Sequence, residues 1–464
     1  MVNALNEKIS GYRKETTIQV HRLSRWLADY KWTGGGDFIE LPGQYDGNSE
    51  PFVDNHIKIV RFDSNLKIYS SAQSPIEVKI YGSDGKSYKF IVKYGEDLRQ
   101  DQRIQELLKL MSNQLAMDKD CKASRLKIQT YLVTPMTHFC GLLSVVDGAN
   151  TVYNFISSFS KAAKIFEVPF FKILDYCRDN YSAFLGGSKR DHDQYGKALI
   201  AIERESMIAK FKELQKKIPK NTMRRLFESM ALTMETFYIL RKNFVNSLAT
   251  MNIAHWILGI GDRHLSNIMI DQKTGHLIGI DFGLSFGAAS HLRIPELVPF
   301  RLTSHFVDIL EPMGIAGLIR QNMIYTLRCF KNSQSDISIC LDMFVKEPTI
   351  DWLTEAKKHS EKEHKNENQT ILDWNPETRI KIVTRKLNGA NPMVITREEL
   401  NIGFPRDPKY LEAFQKVSSG EADSQRQLLP EDGLSVEDQV TCLIEMATDP
   451  YVLSAAYIGW DPWF

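Results

Sequence analysis

Apolar and polar residues follow two different periods along the first third of the chain. Over residues 18–32 the apolar side chains recur at the spacing of one helix face, which predicts an amphipathic helix. Short apolar runs bounded by polar turns predict strands at 57–62, 78–81, 88–93 and 125–133. Asp84-Gly85 separates the second run from the third and is a strong hairpin signal. Between the third run and the fourth, over 98–115, the period is helical again.

Helical patterns dominate the rest of the chain. Two strand-like runs, 268–271 and 277–280, interrupt them, and residues 406–432 have the polar composition of a linker. Strands with one inserted helix, followed by a long helix-rich remainder, predict an α+β fold. In this fold a small sheet-rich lobe precedes a larger helical lobe.

The last 33 residues carry two signals for helix starts. Ser435 and Asp438 form a capping box ahead of an apolar helical stripe. Asp449 and Pro450 then mark a second helix, with proline at its first position. The final stretch, 459–464, contains three aromatic residues that we expect to be buried in a core.

The composition is that of an ordinary globular protein and disfavours several functions. Of 464 residues 43% are hydrophobic, and 58 Lys and Arg against 57 Asp and Glu leave a net charge of +1. Bulk charge therefore gives no drive toward nucleic acid or acidic membranes. The six cysteines form no CxxC pair, which disfavours a zinc site or a disulfide framework and favours a reducing compartment. No segment approaches the ~20 apolar residues of a membrane span, so we expect a soluble, intracellular protein.

One segment carries the side chains that phosphoryl transfer to a hydroxyl group requires. Such transfer needs a carboxylate that orients the hydroxyl and accepts its proton. It also needs an amide oxygen and a second carboxylate that hold Mg²⁺ on the phosphates. Asp262 and Asn267 are five residues apart, as in protein kinases, and Asp281 begins an Asp-Phe-Gly triplet downstream. We predict Asp262 as the base, Asn267 and Asp281 as Mg²⁺ ligands, and His264 as a donor to the transferred phosphoryl group.

A lysine upstream completes this set. Lys93 ends an apolar strand and precedes an acid-rich helix start, which suits a lysine that binds the α- and β-phosphates of ATP and is fixed by a carboxylate. Asp101 is the predicted carboxylate, and Glu96 is the alternative. A single strand lysine more often reaches out to solvent, and a single Asp-Phe-Gly occurs by chance. Their order and spacing together indicate an ATP-dependent phosphotransferase.

The same residues resemble a known family. Glu96-Asp-Leu-Arg-Gln-Asp101, Gly261-Asp-Arg-His264 with Asn267, and Asp281-Phe-Gly are similar to motifs of the phosphatidylinositol 3-kinase-related protein kinases. The last 33 residues, which end in Gly-Trp-Asp-Pro-Trp-Phe, resemble the FATC segment of that family. Further stretches resemble the branch of the family that repairs DNA double-strand breaks: 40–47, 96–103, 254–264, 295–303, 344–348 and 385–392.

This resemblance implies a bilobal protein-kinase-like fold of the PI3/PI4-kinase type. The implied activation loop runs from Gly279 to about Thr303, and the final aromatic residues would pack against it and against the catalytic loop. The implied segments are the end of a FAT-like region with a linker (1–61), the kinase N-lobe (62–147), the C-lobe (148–395), a linker (396–431) and the FATC segment (432–464).

The resemblance also implies how the nucleotide is bound. The adenine-binding hinge falls near 143–146 and carries Val145 where many relatives have Trp. The phosphate-covering loop 71–77 lacks the basic residues that are common in relatives. Tyr131 would lie at the back of the pocket, and Met269 with Ile280 would form its floor. The complete set of implied nucleotide contacts is Ser71, Lys93, Tyr131, Val145, Val146, Met269 and Ile280.

The implied activity is that of a serine/threonine protein kinase that uses ATP and Mg²⁺ and modifies Ser or Thr followed by Gln. The implied setting is the nucleus, in DNA double-strand-break repair by non-homologous end joining. Protein substrates are the expected partners, and no membrane partner is expected. The Ku heterodimer and DNA ends are expected for the full-length family member and are not assignable to this chain.

Two alternatives stay open from the residues. A phosphoinositide lipid kinase would use the same lysine, carboxylates and amide, but lipid headgroup phosphates need cationic partners. The implied activation loop offers mainly His291 and Arg293 for that purpose. A truncated, inactive scaffold is the second alternative, against which the presence of all four catalytic side chains argues.

Overall fold

The structure is a computed structural model that describes residues 16–45, 50–69, 74–162, 164–187, 192–354, 356–357, 374–403, 406–420 and 424–464. The chain forms two compact units. The first comprises Met1–Glu106 and Tyr131–Asp147, and the second comprises Leu107–Thr130 and Gly148–Phe464. Among the described residues, no helix combines the length and the apolar character needed to span a bilayer.

The first unit is built on an antiparallel sheet in the order β1-β3-β4-β5-β7-β6, with β2 also paired to β4. Its helices are α1 (Val20–Leu23), α2 (Arg25–Asp29) and the start of α3 (Arg99–Met117). Its strands are β1 (Thr17–Gln19), β2 (Ile59–Phe62), β3 (Asn65–Ile68), β4 (Ile76–Gly82), β5 (Ser87–Tyr94), β6 (Val133–Thr137) and β7 (Cys140–Ser144).

The hairpin between β4 and β5 forms where the sequence predicts it. Gly82 donates its N–H to the carbonyl of Lys86 at 2.9 Å, which closes the turn. Gly85 has a φ of 78°, in the left-handed region that glycine adopts at low cost. The turn thereby fixes the register of β5, in which Lys93 lies opposite Gly141 of β7.

The predicted helix over residues 18–32 is wrong as a single element. Thr17–Gln19 pairs with β3 as a strand, so the backbone groups of this segment are used in the sheet. Ser24 is extended, with a φ of −147°, and its hydroxyl accepts the N–H of Leu27 at 3.2 Å. Strand pairing and a serine N-cap thus divide the periodic stretch into β1, α1 and α2.

The predicted strand over residues 125–133 is also wrong, since β6 begins only at its last residue. Residues 126–132 form no regular secondary structure, and two N–H groups of this segment donate to side chains of α3. Tyr131 N–H donates to Gln105 Oε1 at 3.1 Å, and Ile128 N–H donates to Ser112 Oγ at 3.1 Å. Side-chain acceptors therefore satisfy backbone groups that a neighbouring strand would otherwise satisfy.

The second unit is mainly helical. It contains a small antiparallel sheet of β8 (Ala149–Thr151), β9 (Ile268–Asp271) and β10 (Leu277–Gly279). Its earlier helices are α4 (Lys119–Ala123), α5 (Val152–Ala162), α6 (Phe170–Phe184), α7 (His192–Ala201), α8 (Arg204–Gln215), α9 (Thr222–Met230), α10 (Met234–Ile257) and α11 (Ser304–Asp308). Its later helices are α12 (Leu318–Asn332), α13 (Gln334–Val345), α14 (Pro376–Leu387), α15 (Pro392–Ile402), α16 (Pro408–Ser419), α17 (Gln425–Leu428), α18 (Val436–Thr448) and α19 (Pro450–Ser454).

The stretch predicted as a linker from its polar composition carries α16 and α17 and is anchored to the core. Arg426 on α17 is fully buried, donates to the carbonyl of Ser419 at 3.0 Å and pairs with Asp449 at 2.5 Å. A charged side chain can be buried when it has an ionic partner and hydrogen-bond acceptors, as Arg426 has. The polar composition of this stretch therefore did not mean that it is an exposed linker.

The two helix starts predicted in the last 33 residues are confirmed. The Ser435 hydroxyl accepts the N–H of Asp438 at 3.0 Å, which caps α18. Asp449 caps α19, in which Pro450 is the first residue. The aromatic residues that follow are buried as predicted: Trp460, Trp463 and Phe464.

Candidate active site

The proposed catalytic residues of the second unit lie in the loop that joins the end of α10 to β9. Gly259 opens this loop with a φ of 59°. A Cβ atom at this position would lie 2.5 Å from the backbone nitrogen of Gly287, so only glycine fits. The loop thus passes directly against the segment that follows Asp281-Phe-Gly, and Gly287 N–H donates to the Gly259 carbonyl at 2.9 Å.

Asp262 and Asn267 are joined by hydrogen bonds within this loop. The Asn267 Nδ2 group donates to the Asp262 carbonyl at 2.9 Å and approaches its carboxylate at 3.3 Å. The Asp262 side chain is 41% exposed and can therefore meet a substrate. Because Nδ2 is directed at Asp262, the Oδ1 atom of Asn267 is the one that a cation can use.

The pairing of β9 with β10 brings Asp281 to the same place. Gly279 is the register partner of Ile268, and Ile280 N–H donates to the Asn267 carbonyl at 3.1 Å. Asp281 is the next residue and its side chain is exposed. The amide oxygen of Asn267 and this carboxylate are the donor types that Mg²⁺ takes, and few protein ligands are usual where phosphates supply the rest. Within the described ranges no group of three or more His, Cys, Asp or Glu could hold a metal ion.

Arg263 is a structural residue of the site that the sequence analysis did not single out. It is 2% exposed, and its Nε donates to the Gly261 carbonyl at 2.7 Å. Its Nη1 donates to the carbonyls of Ile280 at 2.8 Å and Asn267 at 3.2 Å, and its Nη2 donates to that of Asp281. One guanidinium thus fixes the backbone at both predicted metal ligands.

The orientation of the His264 ring is set by a hydrogen bond. Its Nδ1 accepts the N–H of Ser266 at 3.1 Å, so in the neutral ring the proton lies on Nε2. Nε2 lies 3.8 Å from the Asp262 carboxylate. Burial lowers the pKa of His264 against the opposing pull of Asp262, so the ring is neutral near pH 7. This geometry fits the predicted donor role.

Arg301 joins the loop between α10 and β9, the proposed catalytic loop, to the last residues of the chain. Its Nε donates to the Arg263 carbonyl at 2.9 Å, and Nη1 donates to the Phe464 backbone oxygen at 3.0 Å. Nη2 donates to the Trp460 carbonyl, and the guanidinium lies 3.8 Å from the centre of the Trp460 ring. Burial lowers the pKa of Arg301 to about 9, so it remains charged near pH 7. The Trp460 ring thus packs on Arg301 of the implied activation loop, and this arginine connects the tail to the loop that carries Asp262.

Asp461 provides a second anchor for this tail. Its φ of 53° turns the chain between Trp460 and Pro462. Its carboxylate accepts two hydrogen bonds from Arg178 of α6, at 2.8 and 2.7 Å. The Phe464 ring stacks on His305 with a centroid distance of 4.3 Å. Neither arginine partner, Arg178 or Arg301, was identified from the sequence, because only the tertiary structure brings them to the tail.

Met269 and Ile280 share one face of the small sheet by strand alternation. Both are half-buried, whereas Ile268 and Ile270 on the other face are 0% exposed. An accessible apolar surface thus lies beside Asn267 and Asp281. It is compatible with the predicted floor of a nucleotide pocket, which stays a prediction.

Lys93, the predicted phosphate-binding lysine, belongs to the first unit. Lys93 Nζ lies 3.2 Å from Glu96 Oε2, with the two side chains 24% and 27% exposed. This contact brings the alternative carboxylate to ion-pair distance. Asp101, the carboxylate preferred from the sequence, lies in the first turn of α3 and is half-buried. Which of the two fixes Lys93 during reaction stays open.

The remaining predicted nucleotide contacts are distributed over the first unit. Tyr131 packs against the cluster of Leu98, Val133 and Leu143. Val145 and Val146 follow β7 and are half-buried, and the Val145 N–H donates to the Lys89 carbonyl at 2.9 Å. Ser71 lies outside the described residues.

Comparison with known families identifies two matching domains. Residues 87–354 match the family model described as phosphatidylinositol 3- and 4-kinase. The chain belongs to this family. Residues 433–464 also match the FATC domain, so this phosphatidylinositol 3- and 4-kinase family member carries a second, C-terminal signature.

Curated relatives extend the comparison. The DNA-dependent protein kinase catalytic subunit of Xenopus laevis is 37% identical over 471 residues, which cover 100% of this chain and 11% of the relative. The protein of the same name from Dictyostelium discoideum is 34% identical, and the aligned region covers 96% of this chain and 11% of that protein. Serine/threonine-protein kinase tor1 of Schizosaccharomyces pombe is 28% identical over 91% of this chain and 17% of its own length. The chain thus spans about a tenth of the first two relatives.

A solved structure of the FAT and kinase domain of CtTel1 matches with a TM-score of 0.63 and 22% identity. The matched region covers 92% of this chain and 25% of the chain in that structure. This match and the two domain matches confirm the predicted α+β fold of the PI3/PI4-kinase type with a FATC segment. The predicted resemblance to the phosphatidylinositol 3-kinase-related protein kinases is confirmed as well. The division into domains and the roles of the site residues remain predictions.

Proposed function

We propose that this chain is the kinase and FATC portion of a serine/threonine protein kinase. It transfers the γ-phosphoryl group of ATP to a Ser or Thr hydroxyl of a protein. The observation that carries the proposal is the joint placement of Asp262, Asn267 and Asp281. Arg263 donates to the carbonyls of Asn267 and Asp281, and the Asn267 amide donates to the carbonyl of Asp262. The names of the relatives, which include serine/threonine kinases, support the reaction class.

The residues have separate tasks in the transfer. The Asp262 carboxylate orients the acceptor hydroxyl and takes its proton as the oxygen bonds to the γ-phosphorus and the bond to the β-phosphate oxygen breaks. His264 donates from Nε2 to an oxygen of the transferred group. Asn267 Oδ1 and the Asp281 carboxylate would hold Mg²⁺, which neutralises charge on the β- and γ-phosphates when bound.

The first unit supplies the remaining contacts in this proposal. Lys93 binds the α- and β-phosphates, and Glu96 is the carboxylate whose distance of 3.2 Å suits it to orient the lysine. Asp101 is the competing candidate. The other nucleotide contacts proposed from the resemblance are Ser71, Tyr131, Val145, Val146, Met269 and Ile280.

A cavity beside Asp262 supports a protein acceptor. It opens to solvent and is lined by Asp262, residues 291–296, Val298 and the tail residues Ala456, Tyr457 and Trp460. Its walls are mainly apolar, which suits the side chains of an extended peptide. We propose Ser-Gln and Thr-Gln sites as acceptors, which rests on the family resemblance.

The same cavity argues against the lipid-kinase alternative. Headgroup phosphates need several cations. Burial lowers the pKa of His291 to about 4, so this ring is neutral near pH 7. Among the described residues that line the cavity, Arg293 is then the one cationic side chain.

We also propose a nuclear role in DNA double-strand-break repair by non-homologous end joining. This step rests on the relatives named DNA-dependent protein kinase catalytic subunit. The chain spans only about a tenth of those proteins. The Ku heterodimer and DNA ends are accordingly proposed as partners of a full-length protein and are not assigned to residues of this chain.

The test is Mg²⁺-dependent phosphorylation of a Ser-Gln peptide. A Ser-Ala peptide, phosphoinositide vesicles and the Asp281→Ala protein are the controls. Transfer to the Ser-Gln peptide that is lost in Asp281→Ala supports the proposal, whereas transfer to the vesicles supports the lipid kinase. Mg²⁺-dependent ATP binding without transfer to any acceptor supports the scaffold alternative.

A further inference from the structure

A second carboxylate contacts the catalytic loop from the segment that follows Asp281-Phe-Gly. Glu296 is half-buried, and its Oε2 accepts the backbone N–H of Asp262 at 2.6 Å. The same carboxylate also accepts a hydrogen bond from the backbone N–H of Arg263. Two consecutive N–H groups therefore converge on one anionic group at the position of the proposed base.

Gly261 makes this approach possible. A Cβ atom at that position would lie 2.4 Å from Glu296 Oε2, well inside van der Waals contact. The glycine that begins the Gly-Asp-Arg-His motif thus leaves room for the carboxylate. Asp262 and Glu296 are 34 residues apart in sequence and are joined by a hydrogen bond in the fold.

Asp262 needs such support because of its backbone conformation. Its φ of 58° places it in the left-handed region, which is unfavourable for a residue other than glycine. Such a residue keeps this conformation only where its surroundings impose it. The hydrogen bond from its own N–H to Glu296 acts directly on this peptide unit.

We propose that Glu296 is a positioning residue for the base: its carboxylate holds the peptide N–H of Asp262 and thereby sets the direction of the Asp262 side chain. This inference rests on the proposed function, in which Asp262 accepts the hydroxyl proton. Glu296 touches neither the phosphates nor the hydroxyl in this scheme. Its effect is therefore on kcat rather than on the KM for ATP.

The charges around Glu296 give this contact a pH dependence. Desolvation raises the pKa of the Glu296 carboxyl to about 7, with Asp262 acting in the same direction and Arg263 in the opposite one. Arg301 also faces it. From the cavity side come His291, which is neutral, and Arg293. Lys386 of α14 and Glu399 of α15, which pair at 2.9 Å, and the neutral His255 of α10 also line the space beside Glu296.

The direction of this dependence follows from the raised pKa. Above about pH 7 the carboxylate is ionised and accepts charge-assisted hydrogen bonds. Below that pH it is protonated, and its bonds to the two N–H groups weaken. The loop should thus hold Asp262 less firmly as the pH falls through this value, and kcat should fall with it.

The first measurement is kcat and KM between pH 5.5 and 8.5, roughly spanning the raised pKa, for wild type, Glu296→Gln and Glu228→Gln. Glu228 is an exposed glutamate on α9 and serves as the matched control. Wild type and Glu228→Gln should both lose kcat below about pH 7. Glu296→Gln should have a kcat about tenfold lower at pH 8, an unchanged KM for ATP, and no kcat transition near pH 7. An unchanged kcat and pH profile in Glu296→Gln would overturn the inference.

The second measurement requires no activity. Amide hydrogen exchange of peptides covering residues 259–267 is followed in the wild-type protein from pH 6 to pH 8.5, roughly across the same range, and corrected for intrinsic rates. Protection should rise with ionisation of Glu296, and this rise should be absent in Glu296→Gln. Protection that is independent of pH would overturn the inference. If wild type transfers no phosphate but shows this rise, the proposed function fails and the positioning contact stands.

Discussion

The proposed carboxylates and amide of the second unit and the proposed lysine of the first unit are held by different kinds of contact. Asp262, Asn267 and Asp281 lie on backbone that two buried arginines clamp through carbonyl oxygens. In the other unit, Lys93 forms an ion pair with Glu96, and the two side chains are 24% and 27% exposed. The first arrangement fixes the main chain, and the second fixes only two side-chain ends.

This difference matters for how each side tolerates change. A guanidinium that donates to several carbonyls sets the positions of all of them, so its loss displaces a whole loop. A partly exposed ion pair can re-form through other rotamers or water, and such pairs contribute little on their own. We therefore expect substitutions in the loop and its arginines to have larger effects than those around Lys93.

Among single substitutions, the largest effect is expected for Asp281→Ala. Removal of this carboxylate leaves Asn267 as the remaining predicted protein ligand of Mg²⁺, so kcat should fall by about 10³-fold or more. Steady-state kinetics on a Ser-Gln peptide over a range of Mg²⁺ concentrations measures it. Asp29→Ala, at an exposed aspartate of α2, is the control, and kcat within threefold of wild type in Asp281→Ala would contradict the assignment.

The second effect concerns Arg301. Lysine keeps the charge but cannot reach the Arg263, Trp460 and Phe464 oxygens together, so the loop and the tail should separate. A shift of about 1 Å at a catalytic group costs about 10²-fold in kcat. Kinetics of Arg301→Lys beside Arg225→Lys, an exposed arginine on α9, measures this loss.

Deletion of residues 459–464 tests the same connection more severely. Without the tail, Arg301 has no acceptor for Nη2, and activity should be abolished. Circular dichroism and gel filtration establish whether the shortened protein is folded. Full turnover in a folded deletion variant would refute a role of the tail in supporting the loop.

The third prediction tests which carboxylate, Glu96 or Asp101, orients Lys93. Because Nζ lies 3.2 Å from Glu96, Glu96→Gln should lower kcat/KM for ATP by about tenfold. Asp101→Asn should cost less. A larger loss in Asp101→Asn would show that the carboxylate preferred from the sequence is the functional one.

The smallest effect is expected for Asp461→Asn, measured as the free energy of unfolding. This variant weakens the two hydrogen bonds from Arg178 and should destabilise the protein by about 1–3 kcal/mol. Asp175→Asn is the matched control, since Asp175 pairs with the same arginine but its side chain is 53% exposed. Its expected cost is about 0–1 kcal/mol. Equal costs in denaturant titrations would contradict the anchoring role of Asp461.

Local signals in the sequence were sufficient for several elements. The Asp84-Gly85 hairpin, β9, β10 and the caps of α18 and α19 depend on contacts within a few residues, and all of them form as predicted. The predicted base and metal ligands are close in space for the same reason. Asp262 and Asn267 belong to one loop, and one strand pair brings Asp281 beside it.

Other features were decided by partners far away in sequence. The stretch 18–32 has the period of a helix, yet β3 takes its first residues into a sheet. Residues 406–420 and 424–432 have the composition of a linker, yet Arg426 anchors them to Asp449. Neither the strand pairing with β3 nor the Arg426–Asp449 ion pair could be predicted from the residues around it in sequence.

The sequence by itself determined the family, the fold class and the identities of the proposed reacting groups, because these depend on short motifs with fixed spacing. Only the tertiary structure decided what holds those groups in place. The clamp by Arg263, the bridge of Arg301 to the tail and the contact of Glu296 with Asp262 are made to backbone atoms. Backbone acceptors and donors are the same at every residue, so no side-chain pattern could reveal which of them would meet.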